Sequence, residues 1–259
     1  MSDCVFVEKS QKVAILTINR PEALNALNYD VLLELQENFR LLQDDPDVKV
    51  VVLTGGGSKA FVAGADVAAM AKAGPLEAQR FITAGHRTFD LIAAFPKPVI
   101  AAVNGFALGG GLELALSCDY IYASENAKFG LPEVNLGIIP GWGGTQRLPA
   151  VVGVNRAREM IYSGKIMSAG DAQAMGLTNR LFPAEGFTDS VLSEARVIAE
   201  KSMIPLSMAK TAINAFVESG GQCGKTVEIQ SVCICFSSND QKEGMAAFLE
   251  KRKAVFSDD

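Results

Sequence analysis

The sequence predicts an α/β fold: strands and helices alternate through roughly the first 150 residues, and a mostly helical remainder follows. Three observations carry that prediction. Residues 13–19 and 49–54 are apolar, β-branched runs, and the stretch between them has apolar residues at helical spacing, so strand, helix and strand follow in order. Another such run, residues 99–103, breaks at Asn104-Gly105 and leads through Gly109, Gly110 and Gly111 into helical composition. Beyond residue 150 helical segments dominate, and only residues 179–182 read as a strand.

Each element has its own signal. Arg20-Pro21 stops the first strand, because proline lacks the N–H that a ladder needs. Asn28 or Asp30 caps a helix whose apolar face is Val31, Leu35, Phe39 and Leu42. Residues 49–54 are apolar at consecutive positions, the pattern of a strand covered on both faces. Gly55-Gly-Gly-Ser-Lys59 lacks the spacing of a phosphate loop. Ala63-Gly-Ala65 lies just past a strand end. That is either a ligand-binding position of α/β proteins or a tight turn, with Asp66 capping a short helix through Lys72. Residues 75–95 form a long helix closed by Pro96-Lys-Pro98, and residues 120–123 form a strand. Residues 128–147 are punctuated by glycine and proline yet apolar, which reads as a folded loop rather than a linker. Helices follow at 155–162, 169–174, 187–201, beyond Pro205, at 227–236 and at 240–253, with a hinge at Ser219-Gly-Gly221. No repeat of fixed period occurs. A helical tail unable to bury its own apolar face predicts a neighbouring subunit.

Composition narrows the chemistry. With 24 Lys and Arg against 29 Asp and Glu the net charge is −5, and no basic run occurs, which argues against a nucleic-acid surface. Five scattered cysteines, no signal-peptide pattern and no apolar run of membrane-spanning length lead us to expect a reduced, cytoplasmic chain without membrane contact. The single histidine, His86, excludes a histidine-rich metal site and reads as an ordinary helix residue. Acid–base work therefore falls to carboxylates.

Two carboxylates stand out. Glu113 lies in the first turn of the helix that the glycine trio opens, where unpaired N–H groups and the helix dipole favour negative charge. The trio is either a cradle for an anion or oxyanion, or a close contact between helix and strand. Glu133, beside Pro132 in the apolar 128–147 segment, reads by itself as exposed.

The residues from Ile100 to Asp119, with Asn104-Gly105, the glycine trio and Cys118-Asp119 in register, resemble the long motif of the crotonase (enoyl-CoA hydratase/isomerase) family. Ala63-Gly-Ala-Asp66 and the run from Phe129 to Arg147 resemble two further blocks, in order, and residues 240–253 are similar to the family's C-terminal pattern. The resemblance implies a crotonase-like spiral of ββα units in residues 1–195, carrying an acyl-CoA site. It also implies a helical trimerisation region in residues 196–259, giving a homotrimer or a homohexamer built from two trimers.

It further implies that a thioester carbonyl lies between the N–H groups of Ala65 and Gly110, with Glu113 as water-activating base and Glu133 as proton donor. Gly141 would help to place the water. Ala23, Ala63, Asp66 and Val67 would hold coenzyme A, together with Phe248 and Lys251 of a neighbour, while Met70 and Trp142 would line the acyl pocket. Trp142 is equally readable as core. Where many hydratases carry a lysine over the adenine, this chain has Ala68. The implied reaction is reversible syn addition of water to a short trans-2-enoyl-CoA, with no metal and no cofactor beyond the substrate's own coenzyme A. The alternative is a Δ3,Δ2-enoyl-CoA isomerase or another enolate-forming member.

Overall fold

The structure, a computed structural model, describes residues 4–67, 74–219 and 221–258. Strands β1 (Val5–Ser10) and β2 (Val13–Ile18) form an antiparallel hairpin through Gln11 and Lys12, both with positive φ, as a tight two-residue turn requires. Helix α1 (Tyr29–Gln43) follows, and Asn28 rather than Asp30 caps it, its side chain accepting from Val31 N at 2.9 Å.

Three turns of chain then repeat one pattern. They contribute β3 (Val50–Gly55) with β4 (Ala60–Val62), β5 (Val99–Val103) with β6 (Phe106–Leu108), and β7 (Tyr120–Ser124) with β8 (Lys128–Gly130). The first strand of each pair joins a six-stranded sheet of order β1-β2-β3-β5-β7-β10, and the second joins a four-stranded sheet of order β4-β6-β8-β9. Helix α2 (Pro75–Ala93) follows the first pair and α3 (Gly110–Ser117) the second. This alternation makes the chain spiral: each turn lays a parallel strand beside its predecessor in both sheets. The remaining elements are α4 (Gly144–Val152), α5 (Val154–Ser163), β9 (Met167–Ser168), α6 (Ala169–Ala174), β10 (Arg180–Phe182), α7 (Phe187–Ala199), α8 (Met203–Ser219), α9 (Gly221–Phe236) and α10 (Asn239–Leu249).

The central strands β3 and β5 of the large sheet are buried on both faces, as their continuous apolar runs require. Val51, Leu53, Val99, Ala101 and Val103 point into the main core. Their neighbours Val50, Val52, Ile100 and Ala102 point the other way, against Phe187, Val191, Leu192 and Ala195 of α7. The expected division at 195/196 thus falls inside α7, whose Ala195 and Ala199 pack on the same sheet face. Helices α8 and α9 pack on each other. Lys210 Nζ pairs with Asp119 at 3.0 Å, and Asn214 donates to Ala93 O at 3.1 Å, tying α8 to the core. Asp258 pairs with Lys49 and accepts from Met203 N, returning the tail to the sheet.

Several boundaries move. The loop reading of 128–147 fails at its end, because residues 144–152 are helical and Pro149 sits inside that helix. Helix α9 begins at Gly221 rather than 227, and α10 ends at Leu249 rather than 253. Strands β6, β8 and β9 were invisible because two or three residues carry no periodicity. Residues 68–72 of the helix expected from Asp66 through Lys72, and the hinge glycine Gly220, lie outside the described residues. Cys118, Cys223, Cys233 and Cys235 are free thiols. Among the described residues no helix is long and apolar enough to cross a membrane.

Candidate active site

The glycine trio brings three segments together. Gly109 has φ +51°, a conformation that L side chains rarely adopt, and its N–H donates to Gly130 O at 2.9 Å. A Cβ on Gly111 would lie 1.9 Å from Val62 O, so the absence of a side chain lets α3 press against β4. A Cβ on Gly110 would lie 3.6 Å from Ala65 N and 2.5 Å from the Trp142 ring. The trio is therefore a close helix–strand contact that also sets the Gly110 N–H at the head of α3 beside Ala65.

The two main-chain N–H groups of interest are unclaimed by the local ladder. Leu27 pairs with Ala65 by donating to Gly64 O and accepting from Asp66 N, which bypasses the N–H of Ala65 itself. Gly110 is the first residue of α3, and first-turn N–H groups have no partner within their helix. The positive end of the α3 dipole adds to both.

Glu113 and Glu133 meet beside this pair. Glu113 is 2 % exposed, and its Oε1 accepts from Trp142 N and Gly144 N, each at 2.7 Å. Burial pushes its pKa up, while those two N–H groups and the positive charges of His86 and Arg147 oppose the shift. Glu133 is 8 % exposed, which corrects the expectation of an exposed side chain. The Pro132–Leu136 turn and strand β8 fold its carboxylate inward until Oε1 lies 3.0 Å from where a Cβ on Gly109 would be. Among the described residues its buried Oε2 has no hydrogen-bond partner. Burial, reinforced by the charge of Glu113, pushes the Glu133 pKa up to about 7. Glu113 thus has two donors from another turn favouring its ionised form, whereas Glu133 has only its own backbone N–H opposing the shift.

Trp142 is 2 % exposed and is core, wedged between helices. Its ring meets Phe81 and Phe89 edge-on at centroid distances of 5.0 and 5.5 Å, and its Nε1 abuts Gly85, where a Cβ would lie only 2.1 Å away. It therefore backs Gly110. Gly141 precedes it, half-buried against Ile82. His86, on α2, is half-buried and its charge reaches Glu113.

The remaining expected residues divide. Ala63 N donates to Leu24 O at 3.0 Å, so the turn bearing Ala23 runs alongside Ala63 and Asp66, and Asp66 pairs with Arg20 at 3.5 Å. Val67 is exposed at the end of this stretch. Leu24, the partner of Ala63, also lines a cavity of about 250 Å³ with Pro21, Gly57, Ser58 and Lys59, among others. Phe248 is 82 % exposed and Lys251 is exposed at the end of α10, which packs on α9, so one chain does not bring these two to Ala63. Met70 lies outside the described residues. Sequence reasoning missed the N–H pair of Trp142 and Gly144, and with it Arg147. The available signal was the Trp-Gly-Gly-Thr-Gln-Arg run, whose glycines mark a tight turn at a helix start.

A sequence model of the enoyl-CoA hydratase/isomerase family matches residues 8–259. Crotonyl-CoA hydratase of Syntrophomonas wolfei is 47 % identical over 252 residues, covering 97 % of each chain. Short-chain-enoyl-CoA hydratase of Clostridium acetobutylicum is 43 % identical over 249 residues, covering 96 % of this chain and 95 % of its own. The crystal structure of enoyl-CoA hydratase from Bacillus anthracis superposes with a TM-score of 0.96 at 36 % identity, covering 99 % of this chain and all of that one. The spiral of paired strands, the glycine trio at the head of α3 and this whole-length similarity agree: the chain belongs to the enoyl-CoA hydratase/isomerase family.

Proposed function

We propose that the chain is an enoyl-CoA hydratase for short trans-2-enoyl thioesters, adding water reversibly to give the 3-hydroxyacyl-CoA. The observation that carries this reading is the buried pair Glu113 and Glu133, set in unlike environments beside the N–H groups of Ala65 and Gly110. The relatives named for crotonyl-CoA and short-chain enoyl-CoA support the choice of acyl length.

In this reading the thioester oxygen sits between Ala65 N and Gly110 N. Their donation stabilises the enolate that forms, and loss of one such donor typically costs about 2.7–4 kcal/mol. Glu113, ionised and held through Oε1, has Oε2 available to take a proton from water as the oxygen bonds to C3. Glu133, protonated below its raised pKa, gives its proton to C2. Both carboxylates approach from one side of the substrate plane, so hydroxyl and hydrogen add to the same face. The chemistry needs general acid, general base and oxyanion donors, all supplied by the chain, and no cofactor beyond coenzyme A. Ala23, Ala63, Asp66 and Val67, with the adjoining cavity and Lys59, form the surface for the coenzyme A moiety.

The exposed apolar residues of α8 and α9, including Phe216, Val217, Ile229 and Val232, suit burial against further copies. A trimer or stacked hexamer would bring a neighbour's Phe248 and Lys251 to the coenzyme. Free cysteines suit a cytoplasmic setting. The test is incubation with crotonyl-CoA, following loss of the enoyl-thioester absorbance, with a trans-3-enoyl-CoA in parallel. Hydration of the first is expected. Faster conversion of the second to its 2-isomer, with no hydration, makes the chain an isomerase instead.

A further inference from the structure

The two N–H groups that hold Glu113 come from one turn, and that turn has its own anchor. Arg147, in the first turns of α4, reaches back so that Nη1 donates to Trp142 O at 3.0 Å. Its Nη2 donates to Asp90 Oδ1 at 2.7 Å, on the neighbouring α2. Gly143, between the two donor residues, has φ +100°, and a Cβ there would lie 2.3 Å from Nη1, so the guanidinium occupies the space a side chain would need. A Cβ on Gly144 would lie 3.0 Å from Glu113 Oε1, so that glycine likewise makes room, here for the carboxylate. Guanidinium, turn and carboxylate are thus stacked in that order, and no residue in the stack is free to move alone.

We propose that Arg147, braced by Asp90, is a positioning residue for hydration: it fixes the 142–144 turn so that Trp142 N and Gly144 N hold the water-activating carboxylate of Glu113. The inference rests on the hydratase reading above. A planar guanidinium suits this place because it donates to a carbonyl and a carboxylate at fixed angles, which an ammonium does not. The groups facing Glu113 are Glu133 from the Pro132–Leu136 turn, His86 from α2 and Arg147 from α4, the last neutralised in part by Asp90. Removing the Arg147 cation and loosening the turn both make the ionised form of Glu113 harder to keep.

The test uses the full-length enzyme with crotonyl-CoA and the variants R147Q, R147K, D90N and R147Q/D90N, measured as kcat, KM and the pH dependence of kcat. For R147Q we expect kcat to fall about 10²-fold, the scale of a small misplacement of reacting groups, with KM little changed. Its acid limb should move to higher pH. R147K should not restore kcat. D90N should lower kcat less, and the double variant should be no worse than R147Q, since Asp90 acts only through Arg147. Full kcat in R147Q, an unmoved acid limb, or additive losses in the double variant overturns the inference. Should R147Q not fold, D90N, at a largely exposed carboxylate, decides alone: wild-type kcat overturns the proposal. Absence of hydration by the wild type removes the hydratase reading itself, whereas full kcat in R147Q beside an inactivated E113Q removes only this inference.

Discussion

Glu113 and Glu133 are both buried and feel each other's charge, yet their partners differ: Glu113 Oε1 takes two main-chain N–H groups at 2.7 Å, while Glu133 Oε2 is buried without a donor among the described residues. That difference separates their proton affinities. The donors oppose the desolvation of Glu113, and the charge of Glu113 adds to the desolvation of Glu133.

The acid–base assignment predicts that E113Q and E133Q each lower kcat with crotonyl-CoA by about 10²–10⁴-fold, because each removes one proton-transfer group. KM should change far less. Steady-state assays on both variants check this, and losses below about tenfold in both would exclude the mechanism.

Activity should fall above neutral pH. Glu133 must be protonated to act as the acid, so kcat/KM should decline as pH rises through about 7, and E133Q should lose that limb. Glu113 must be ionised, so activity also falls on the acid side. A pH–rate profile that stays flat from pH 6 to roughly 9 contradicts the pairing.

Stability falls in the same direction at the same residue. The folded-state pKa of Glu133 is raised from 4.5 to about 7, so the folded protein holds a proton that the unfolded chain gives up, and stability is lost as pH rises between those values. Replacing it with glutamine removes a penalty on the order of 3 kcal/mol at most. E133Q should therefore melt higher than wild type at pH 8, with the gap closing towards pH 4.5. Calorimetry across that range is the check.

The wedge of Trp142 between α2 and α3 predicts a size coupling. G85A places a methyl on the indole Nε1, and overpacking of this kind costs about 1–3 kcal/mol. The pair G85A/W142A should be less destabilised than the sum of the two single variants. Urea unfolding of the four proteins measures the coupling, and strict additivity would mean that the ring moves aside freely.

The exposed faces of α8 and α9 predict assembly. F216D and I229D, at positions 59 % and 67 % exposed in one chain, should lower the sedimenting mass from trimer or hexamer towards monomer. They should also raise KM for crotonyl-CoA if Phe248 and Lys251 reach the coenzyme from a neighbour. A wild-type monomer in sedimentation would end this reading.

Much of this was legible in the chain. Residues 13–19, 49–54 and 99–103 announced buried strands because a run of β-branched apolar residues has no other comfortable place. Asn28 announced a helix start, and the glycine trio announced a close approach. The four-stranded sheet was not legible, since Ala60–Val62, Phe106–Leu108 and Lys128–Gly130 are too short to show a period and are strands only because their neighbours pair with them. Helix α4 was hidden by Pro149 and by its glycine-rich approach.

The sequence by itself determined which groups are available for chemistry: one histidine, two glutamates in apolar company and small residues at two strand-to-helix turns. Only the tertiary structure decided that Glu133 is buried, that Glu113 is gripped by a turn twenty-nine residues further on, and that Trp142 is wedged between helices. The reason is physical. Local spacing sets the periodicity of a helix or strand, whereas the proton affinity of a carboxylate depends on the solvent it loses and the donors it meets, and both are set by segments distant in the chain.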